Sequence, residues 1–545
     1  MTLTINGRTY DWPRRPVVVV CVDGCEPAYL DTAVAAGAAP ALARFRAHGF
    51  ARLATAAMPT FTNPNNVSIV TGVPPAVHGI AGNYFFDPAS GAEVMMNDPA
   101  FLRCETLLAR FAAAGARVAV VTAKDKLRRL LGHGLDGVCV SAERAGEATV
   151  PGVGPLAELV AQPLPAVYSA ELSEYVLAAG LALFRRLRPD VTYLSLTDYV
   201  QHKHPPGDEV ATRFVAMLDR YFDAFDREGA ILGITADHGM NAKARADGRP
   251  NVVYLRPLLD ALVGPGQARV VLPITDPYVV HHGALGSFAT VYLTRTADAG
   301  GVARRLATVP GIAEVWEREA GCARFELPPD RVGDLLVVGD RDTVLGKAPE
   351  EHDLSLLDAP LRSHGGLAEQ TVPFVLNRPV RPAYAARPTL RNFDVFEYVL
   401  NGDVPLLITE YAEGETLHHR MQLEAFGLPE EQVLDIAEQL CDVLGYLHSQ
   451  NPPVIYRDLT PGNIIISPTG RIKLIDFGIA RTVKTGKTSD TEPLGTTGYA
   501  APEQYGNLQT GPYSDIYSLG ATLLYAVTGY DPSLTPFMLP RADLI

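Results

Sequence analysis

Four short runs, Val17–Val22, Val118–Thr122, Val191–Leu196 and Ile231–Ala236, are almost wholly apolar and show no period-two alternation with polar residues. A strand with one wet face alternates, whereas a strand that is apolar throughout is covered on both faces. The last three runs each follow a stretch of helical patterning, around Leu107–Ala114, Ala170–Leu187 and Phe214–Phe225. The first leads through Asp23-Gly24 into a helix expected across Ala33–His48. This alternation predicts an α/β fold, a largely parallel sheet covered by helices. Ligands of such folds gather beyond the carboxyl ends of the strands. Asp23, Asp198 and the pair Asp237-His238 all fall directly after an apolar run. Residues 245–350 are less regular and richer in Pro and Gly, as an inserted cap would be.

At 545 residues the chain exceeds one ordinary core, so two to four domains are expected. With 47% apolar and 20% charged residues it has the composition of a soluble globular protein. The net charge of −14 is unevenly placed: residues 1–401 carry 39 Lys+Arg against 43 Asp+Glu, and residues 402–545 carry 8 against 18. That imbalance marks two segments of different character and leaves no basic patch for nucleic acid. No apolar run is long enough to cross a bilayer, and the N-terminus lacks the features of a secretory leader. Six cysteines without a C-x-x-C pair predict reduced thiols and a cytoplasmic location. Neither nucleic acid nor membrane is expected as a partner, and a homodimer is left open.

The acidic and histidine residues at the strand ends have the chemistry of metal ligands. Zinc takes carboxylate oxygen and neutral imidazole nitrogen, and a two-metal hydrolase needs six or seven such donors in one place. The sequence supplies Asp23, then Asp198 and His202 at a four-residue spacing that shares one side of a helical turn, then Asp237-His238, then His364 in Arg-Ser-His-Gly-Gly. An isolated Asp-His pair is most often a loop feature; the ordered set, each member after an apparent strand, points to a metal centre.

Asp23-Gly24, the stretch Pro59-Thr-Phe-Thr-Asn-Pro-Asn-Asn66, Thr71-Gly72, His78-Gly79 and Asn83 resemble the nucleotide pyrophosphatase/phosphodiesterase branch of the alkaline phosphatase superfamily. The resemblance implies a threonine nucleophile, which maps onto Thr62 in its Thr-Asn-Pro-Asn context, with Thr60 the nearby competitor. It also implies two zinc ions, one held by Asp198, His202 and His364 and the other by Asp23, Thr62, Asp237 and His238. The Asn63 amide and the Asn83 side chain are candidate donors to phosphoryl oxygens; alternatively Asn83 only closes a turn after Gly82. Over roughly residues 15–400 the chain is most similar to the phosphonoacetate hydrolase family, which uses two lysines in the segment matching Lys124 and Lys126 to grip the substrate carboxylate. The implied activity is zinc-dependent hydrolysis of the carbon–phosphorus bond of phosphonoacetate, a small phosphonate, to acetate and phosphate. His204 is a further candidate substrate donor. The competing readings are a solvated helix start for both lysines and a phosphodiesterase acting on nucleotide or aryl esters. Arg128 and Arg129 read as a solvated face.

Residues 402–545 resemble the large lobe of a bacterial Ser/Thr protein kinase. Ile408–Gly414 looks like a hinge, and Tyr456-Arg-Asp-Leu-Thr-Pro-Gly-Asn463 like a catalytic loop with Asp458 as base and Asn463 as metal ligand. Asp476-Phe477-Gly478 matches the second metal motif, and Gly495–Glu503 with Ser514–Gly520 the end of an activation segment and its anchoring helix. Residues 365–405 contain no Gly-rich phosphate loop, and Thr460 stands where a loop lysine is usual. The sequence stops before the helices that complete such a lobe. The expectation is an incomplete, mostly α-helical kinase-like lobe without kinase activity, exposing apolar surface. A regulatory pseudokinase module, a fragment and an artefact of joining two genes remain alternatives.

Overall fold

The computed structural model describes residues 1–274, 285–294, 298–355, 357, 359–403, 412–424, 427–477, 480–482, 495–505 and 508–536. The chain forms two compact units, residues 1–405 and 406–545. In the first, the strands that matter for the site are β1 (Val17–Cys21), β2 (Phe50–Thr55), β3 (Val118–Thr122), β4 (Val138–Ser141), β5 (Val191–Ser195) and β6 (Ile231–Thr235). An inserted sheet follows, made of β7 (Ala268–Val271), β8 (Phe288–Leu293), β9 (Ile312–Glu317) and β10 (Leu335–Gly339), and the chain returns to the main sheet with β11 (Thr371–Leu376). The main sheet has the order β2-β11-β6-β1-β5-β3-β4. The five strands β6, β1, β5, β3 and β4 are parallel, while β11 runs antiparallel to both β6 and β2. The sheet is therefore mixed rather than all parallel, the reversal lying on the side away from β3 and β4. All residues of β1, β3, β5 and β6 are buried, which explains runs without alternation.

The register carries the functional consequence. Cys21 at the end of β1 is opposite Ser195 at the end of β5 and Thr235 at the end of β6, and Ser195 is opposite Thr122 at the end of β3. Four strands thus finish level, and the residues just beyond them emerge at one edge.

The single helix expected over Ala33–His48 is two helices, Pro27–Ala35 and Pro40–His48. Gly37 takes a left-handed φ of +71° between them, and Pro40, with no N–H and a ring that clashes with the preceding turn, starts a helix but cannot continue one. The buried Asp219 carboxylate accepts the exposed amides of Ala41 and Leu42 at 3.0 and 2.7 Å, capping the second helix from a neighbouring one. The cap expected over residues 245–350 contains the antiparallel sheet β7-β8-β10-β9.

The second unit has helices Leu417–Leu423, Glu430–His448 and Pro512–Thr528 around a small apolar core that includes Leu440, Leu444, Tyr456, Ile464 and Ala526. The hairpin Ile464–Ile466 with Ile472–Leu474 closes one side. The strand expected at Leu406–Thr409 and most of the expected hinge lie outside the described residues. Leu434, Tyr446, Tyr513 and Ile516 are exposed by 55–68%, in keeping with the expected apolar surface.

Helix Val395–Asn401, close to the end of the first unit, packs on β6 where the strand has a glycine. A Cβ at Gly233 would lie 2.7 Å from Val399 Cγ1 and 2.8 Å from Val395 Cγ2. Overpacking at such a contact costs about 1–3 kcal/mol. Gly233→Val is expected to lower the urea midpoint of the first unit's unfolding accordingly, followed by far-UV circular dichroism; an unchanged midpoint would show that this helix does not pack as described.

Candidate active site

Because β1, β5 and β6 end level, three carboxylates meet. Asp23 and Asp237 lie two residues past their strands and Asp198 three past its own, and all three are buried. Gly24 makes the first turn possible: its φ is +68°, and a Cβ there would sit 3.1 Å from Asp198 Cβ. Asp198 precedes the short helix Tyr199–Lys203, and the His202 amide donates to the Asp198 carbonyl at 3.0 Å. The four-residue spacing is thus one helical turn, and it sets His202 Nε2 2.9 Å from Asp198 Oδ2.

The three histidines are oriented by the backbone. His202 Nδ1 lies 2.9 Å from the Arg362 carbonyl, His238 Nδ1 2.9 Å from that of Gly239, and His364 Nδ1 2.7 Å from that of Thr60. A carbonyl can only accept, so each Nδ1 carries a proton and each ring turns its Nε2 toward the site. His238 Nε2 stands 3.3 Å from Asp23 Oδ1 and 3.7 Å from Asp237 Oδ2, and His364 Nε2 4.0 Å from Asp198 Oδ2. The His238 and His364 rings stack at 3.7 Å. Among the described residues two trios bring donor atoms within 4.8 Å of one another, Asp198/His238/His364 and Asp23/Asp237/His238.

The electrostatics are those of a site built around positive charge. Burial, then the charges of Asp198 and Asp237, push Asp23 well above the ordinary carboxylate range. Burial likewise raises Asp237. It also acts to raise Asp198, but His202, Lys124 and His364 outweigh it and hold that carboxyl well below its usual value. Burial, then His238 and His202, push His364 well below the ordinary imidazole range. Asp23 Oδ1 is buried and accepts no hydrogen bond. Three crowded carboxylates, an unsatisfied oxygen and three aimed imidazole nitrogens fit divalent cations.

The two threonines are told apart by their surroundings. Thr60 is fully buried; its hydroxyl donates to the Gly366 carbonyl at 2.9 Å and accepts the Gly365 amide at 3.0 Å, so it fastens the loop that carries His364. Thr62 lines the cleft, opens the ten-residue helix Thr62–Thr71, and has its Oγ1 3.4 Å from His238 Nε2. A helix start favours negative charge. Asn63 and Asn83 also line the cleft. The backbone of Asn83 bonds to the Pro273 carbonyl, and its side chain reaches the Ile274 carbonyl at 3.4 Å.

Lys124 and Lys126 line the same cleft, together with Leu127, Asp198 and His202. Lys124 follows β3 by two residues at the level edge. His204 is not among the cleft-lining residues: it turns to Asp208, Nδ1 to Oδ1 3.2 Å. The helix carrying His202 ends at Lys203, and His204 already has extended backbone, which takes it off the ligand face. Arg128 pairs with Asp125 at 2.6 Å, and Arg129 is exposed.

Residues overlooked in the sequence hold the ligands in place. Asn66 Nδ2 donates to Asp237 Oδ2 at 3.1 Å, while its Oδ1 accepts from Tyr193 and Ser195. The buried Lys243 pairs with Glu369 at 2.9 Å, and Glu369 also accepts from Asn241 and the Gly366 amide. Asn66 and Arg362 lay inside recognised motifs, but their partners are far away in the chain. Lys243 and Glu369 carried no local signal.

In the second unit Asp458 accepts from Asn463 at 2.9 Å and from Thr496 at 2.7 Å. The buried Asp515 carboxylate accepts the Tyr456 and Arg457 amides, fixing that loop on helix Pro512–Thr528. Asp476 has a left-handed φ of +59°; Gly478 lies outside the described residues.

The family model described as type I phosphodiesterase / nucleotide pyrophosphatase matches residues 17–367, and the protein kinase domain model matches 391–536. Phosphonoacetate hydrolase from Sinorhizobium meliloti 1021, solved in complex with phosphonoformate and with phosphonoacetate, is 54% identical and superposes with a TM-score of 0.71, covering 74% of this chain and 99% of its own. Murine ectonucleotide pyrophosphatase / phosphodiesterase 5, solved with AMP, shares the fold at 17% identity and a TM-score of 0.50, covering 73% of this chain and 98% of its own. Serine/threonine-protein kinase PknB of Mycobacterium leprae (strain TN) is 35% identical over 133 residues, 24% of this chain and 21% of that protein. The chain therefore spans about a fifth of the length of the curated kinases it matches. The kinase match begins inside the first unit, just before the helix that packs on β6. The first unit, with an alkaline phosphatase-like α/β fold and a buried cluster of candidate metal ligands, is a phosphoester or phosphonate hydrolase, and the chain belongs to the type I phosphodiesterase / nucleotide pyrophosphatase family.

Proposed function

We propose that the first unit hydrolyses the carbon–phosphorus bond of phosphonoacetate, using two zinc ions held by Asp198, His202 and His364 and by Asp23, Thr62, Asp237 and His238. The observation that carries this reading is the position of Lys124 and Lys126 in one cleft with Thr62 and the ligand cluster. The phosphonoacetate complex of the 54% identical relative supports the same substrate. Zinc bound there would supply Lewis acidity, lowering the proton affinity of a hydroxyl and offsetting phosphoryl charge.

The chain's own groups divide the remaining work. Thr62 Oγ1, its proton released to solvent, attacks phosphorus in line; the Oγ1–phosphorus bond forms as the phosphorus–carbon bond breaks. The electron pair of that bond passes to the departing methylene carbon and spreads into its carboxylate, which Lys124 and Lys126 hold by charge. A solvent proton completes acetate, and water then cleaves the phosphothreonine, releasing phosphate and restoring the Thr62 hydroxyl. The Asn63 amide and the Asn83 side chain donate to phosphoryl oxygens as charge builds. The free thiols of all six cysteines and the lack of any described helix long and apolar enough to cross a membrane support a cytoplasmic enzyme.

We further propose that the second unit does not transfer phosphoryl groups. It keeps Asp458, Asn463 and Asp476, but the stretch before it has no Gly-rich loop and its helix Val395–Asn401 packs in the hydrolase core. Incubation with ATP and magnesium is expected to give no autophosphorylation; a signal lost in Asp458→Asn would overturn this.

Two measurements test the hydrolase. Thr62→Ala is expected to lower kcat for phosphonoacetate by roughly 10³-fold or more, while zinc content changes little; substantial residual turnover would move the nucleophile elsewhere. Lys124→Ala and Lys126→Ala should each lower kcat/KM for phosphonoacetate by about 10–100-fold, the worth of a lost charge-assisted hydrogen bond. Turnover of p-nitrophenyl nucleotide esters should change far less. Strong ester turnover beside weak phosphonoacetate turnover in the unaltered protein would favour the phosphodiesterase reading.

A further inference from the structure

Arg362 is buried, has 7% of its surface exposed, and takes no part in the chemistry just described. Its side chain makes four hydrogen bonds. Nε donates to the Gln201 carbonyl at 2.8 Å, and Nη2 donates to the Met240 carbonyl at 3.0 Å, to Tyr29 Oη at 3.2 Å and to Glu26 Oε1 at 3.4 Å. Its own carbonyl receives His202 Nδ1 at 2.9 Å. Every one of these contacts adjoins a candidate ligand segment. Gln201 precedes His202, Met240 lies two residues after His238, Glu26 three after Asp23, and Arg362 itself two before His364. Tyr29 Oη in turn donates to the His204 carbonyl at 2.6 Å, closing the far end of the His202 helix.

These four segments come from four separate parts of the chain, and each on its own is a loop or a very short element with conformations to lose. A metal centre needs its donors in place to a few tenths of an ångström. A planar guanidinium with five donors can bond several carbonyls in fixed directions at once; a lysine ammonium is a point charge on a flexible stem and cannot span them. We propose that Arg362 is the positioning residue of the metal centre: its side chain bonds the segments of Asp23, His202 and His238 to its own segment, which carries His364, and so holds these four donors ready before metal binds, so the metal affinity of the site depends on it. The inference rests on the metal-centre reading above.

The test uses the full-length chain stripped of metal, with zinc dissociation constants read by competition with a chromophoric chelator and folding followed by near-UV circular dichroism. Arg362→Met is expected to weaken zinc binding by about 10–100-fold, the scale seen when groups that orient metal ligands are removed. Arg362→Lys should recover only part of that loss. A merely structural arginine would lower the thermal midpoint of the metal-free protein and leave the zinc dissociation constants of the folded protein unchanged; that result overturns the proposal. If Arg362→Met does not fold, Arg362→Lys carries the test, with binding at least fivefold weaker expected and unchanged binding overturning it. Failure of the unaltered protein to bind zinc sinks the metal-centre reading itself, whereas tight binding in the unaltered protein and equally tight binding in the variants sinks only the role of Arg362.

Discussion

The structure of the first unit turns on three buried carboxylates that cannot all be charged next to one another in a site without positive charge. Asp23, Asp198 and Asp237 are brought together because β1, β5 and β6 end in register, and burial makes their mutual repulsion severe. The protein supplies Lys124 from the end of a fourth level strand and three imidazoles, each with its Nδ1 proton tied to a backbone carbonyl. These arrangements stabilise a cluster that would otherwise oppose folding, and they leave Asp23 Oδ1 without a hydrogen bond. The same compromise gives the site the donor set that divalent cations take.

Around that cluster lies a layer of buried polar groups whose bonds are nearly all long-range in sequence. Asn66 reaches Asp237, Thr60 pins the loop of His364, and Glu369 joins Lys243 and Asn241 to that loop. Arg362 belongs to this layer and differs in joining the segments of Asp23, His202 and His238 to the one that carries His364. Removing one member of such a network leaves the others buried and unpaired, which is why the layer couples the precision of the site to the stability of the core.

The second unit shows how much of a catalytic loop can persist by local bonding. Asp458, Asn463 and Thr496 satisfy one another, and Asp515 holds the loop backbone to its helix. That arrangement needs neither a nucleotide nor the rest of a kinase. Phosphoryl transfer requires in addition a cover over the phosphates, and the proposal that this unit is inactive rests on that requirement.

The apolar strands, the acids that follow them, the Asp198–His202 turn and the family likeness were all legible in the sequence, because each depends on residues a few positions apart. The break at Gly37 to Pro40 is also written locally, in a glycine and a proline that interrupt the helical patterning. Other features were decided only by the tertiary structure. One is the antiparallel strand β11 inside the sheet; others are the turning of His204 toward Asp208 and the separation of Thr62 in the cleft from Thr60 in the wall. The fastening of the ligand segments by Arg362, Glu369 and Lys243 belongs with them. The physical reason is the same throughout. Patterns of period two or 3.6 and adjacent motifs are written locally, whereas strand order, side-chain direction past a helix end and hydrogen bonds between residues more than a hundred positions apart exist only once the chain has closed on itself.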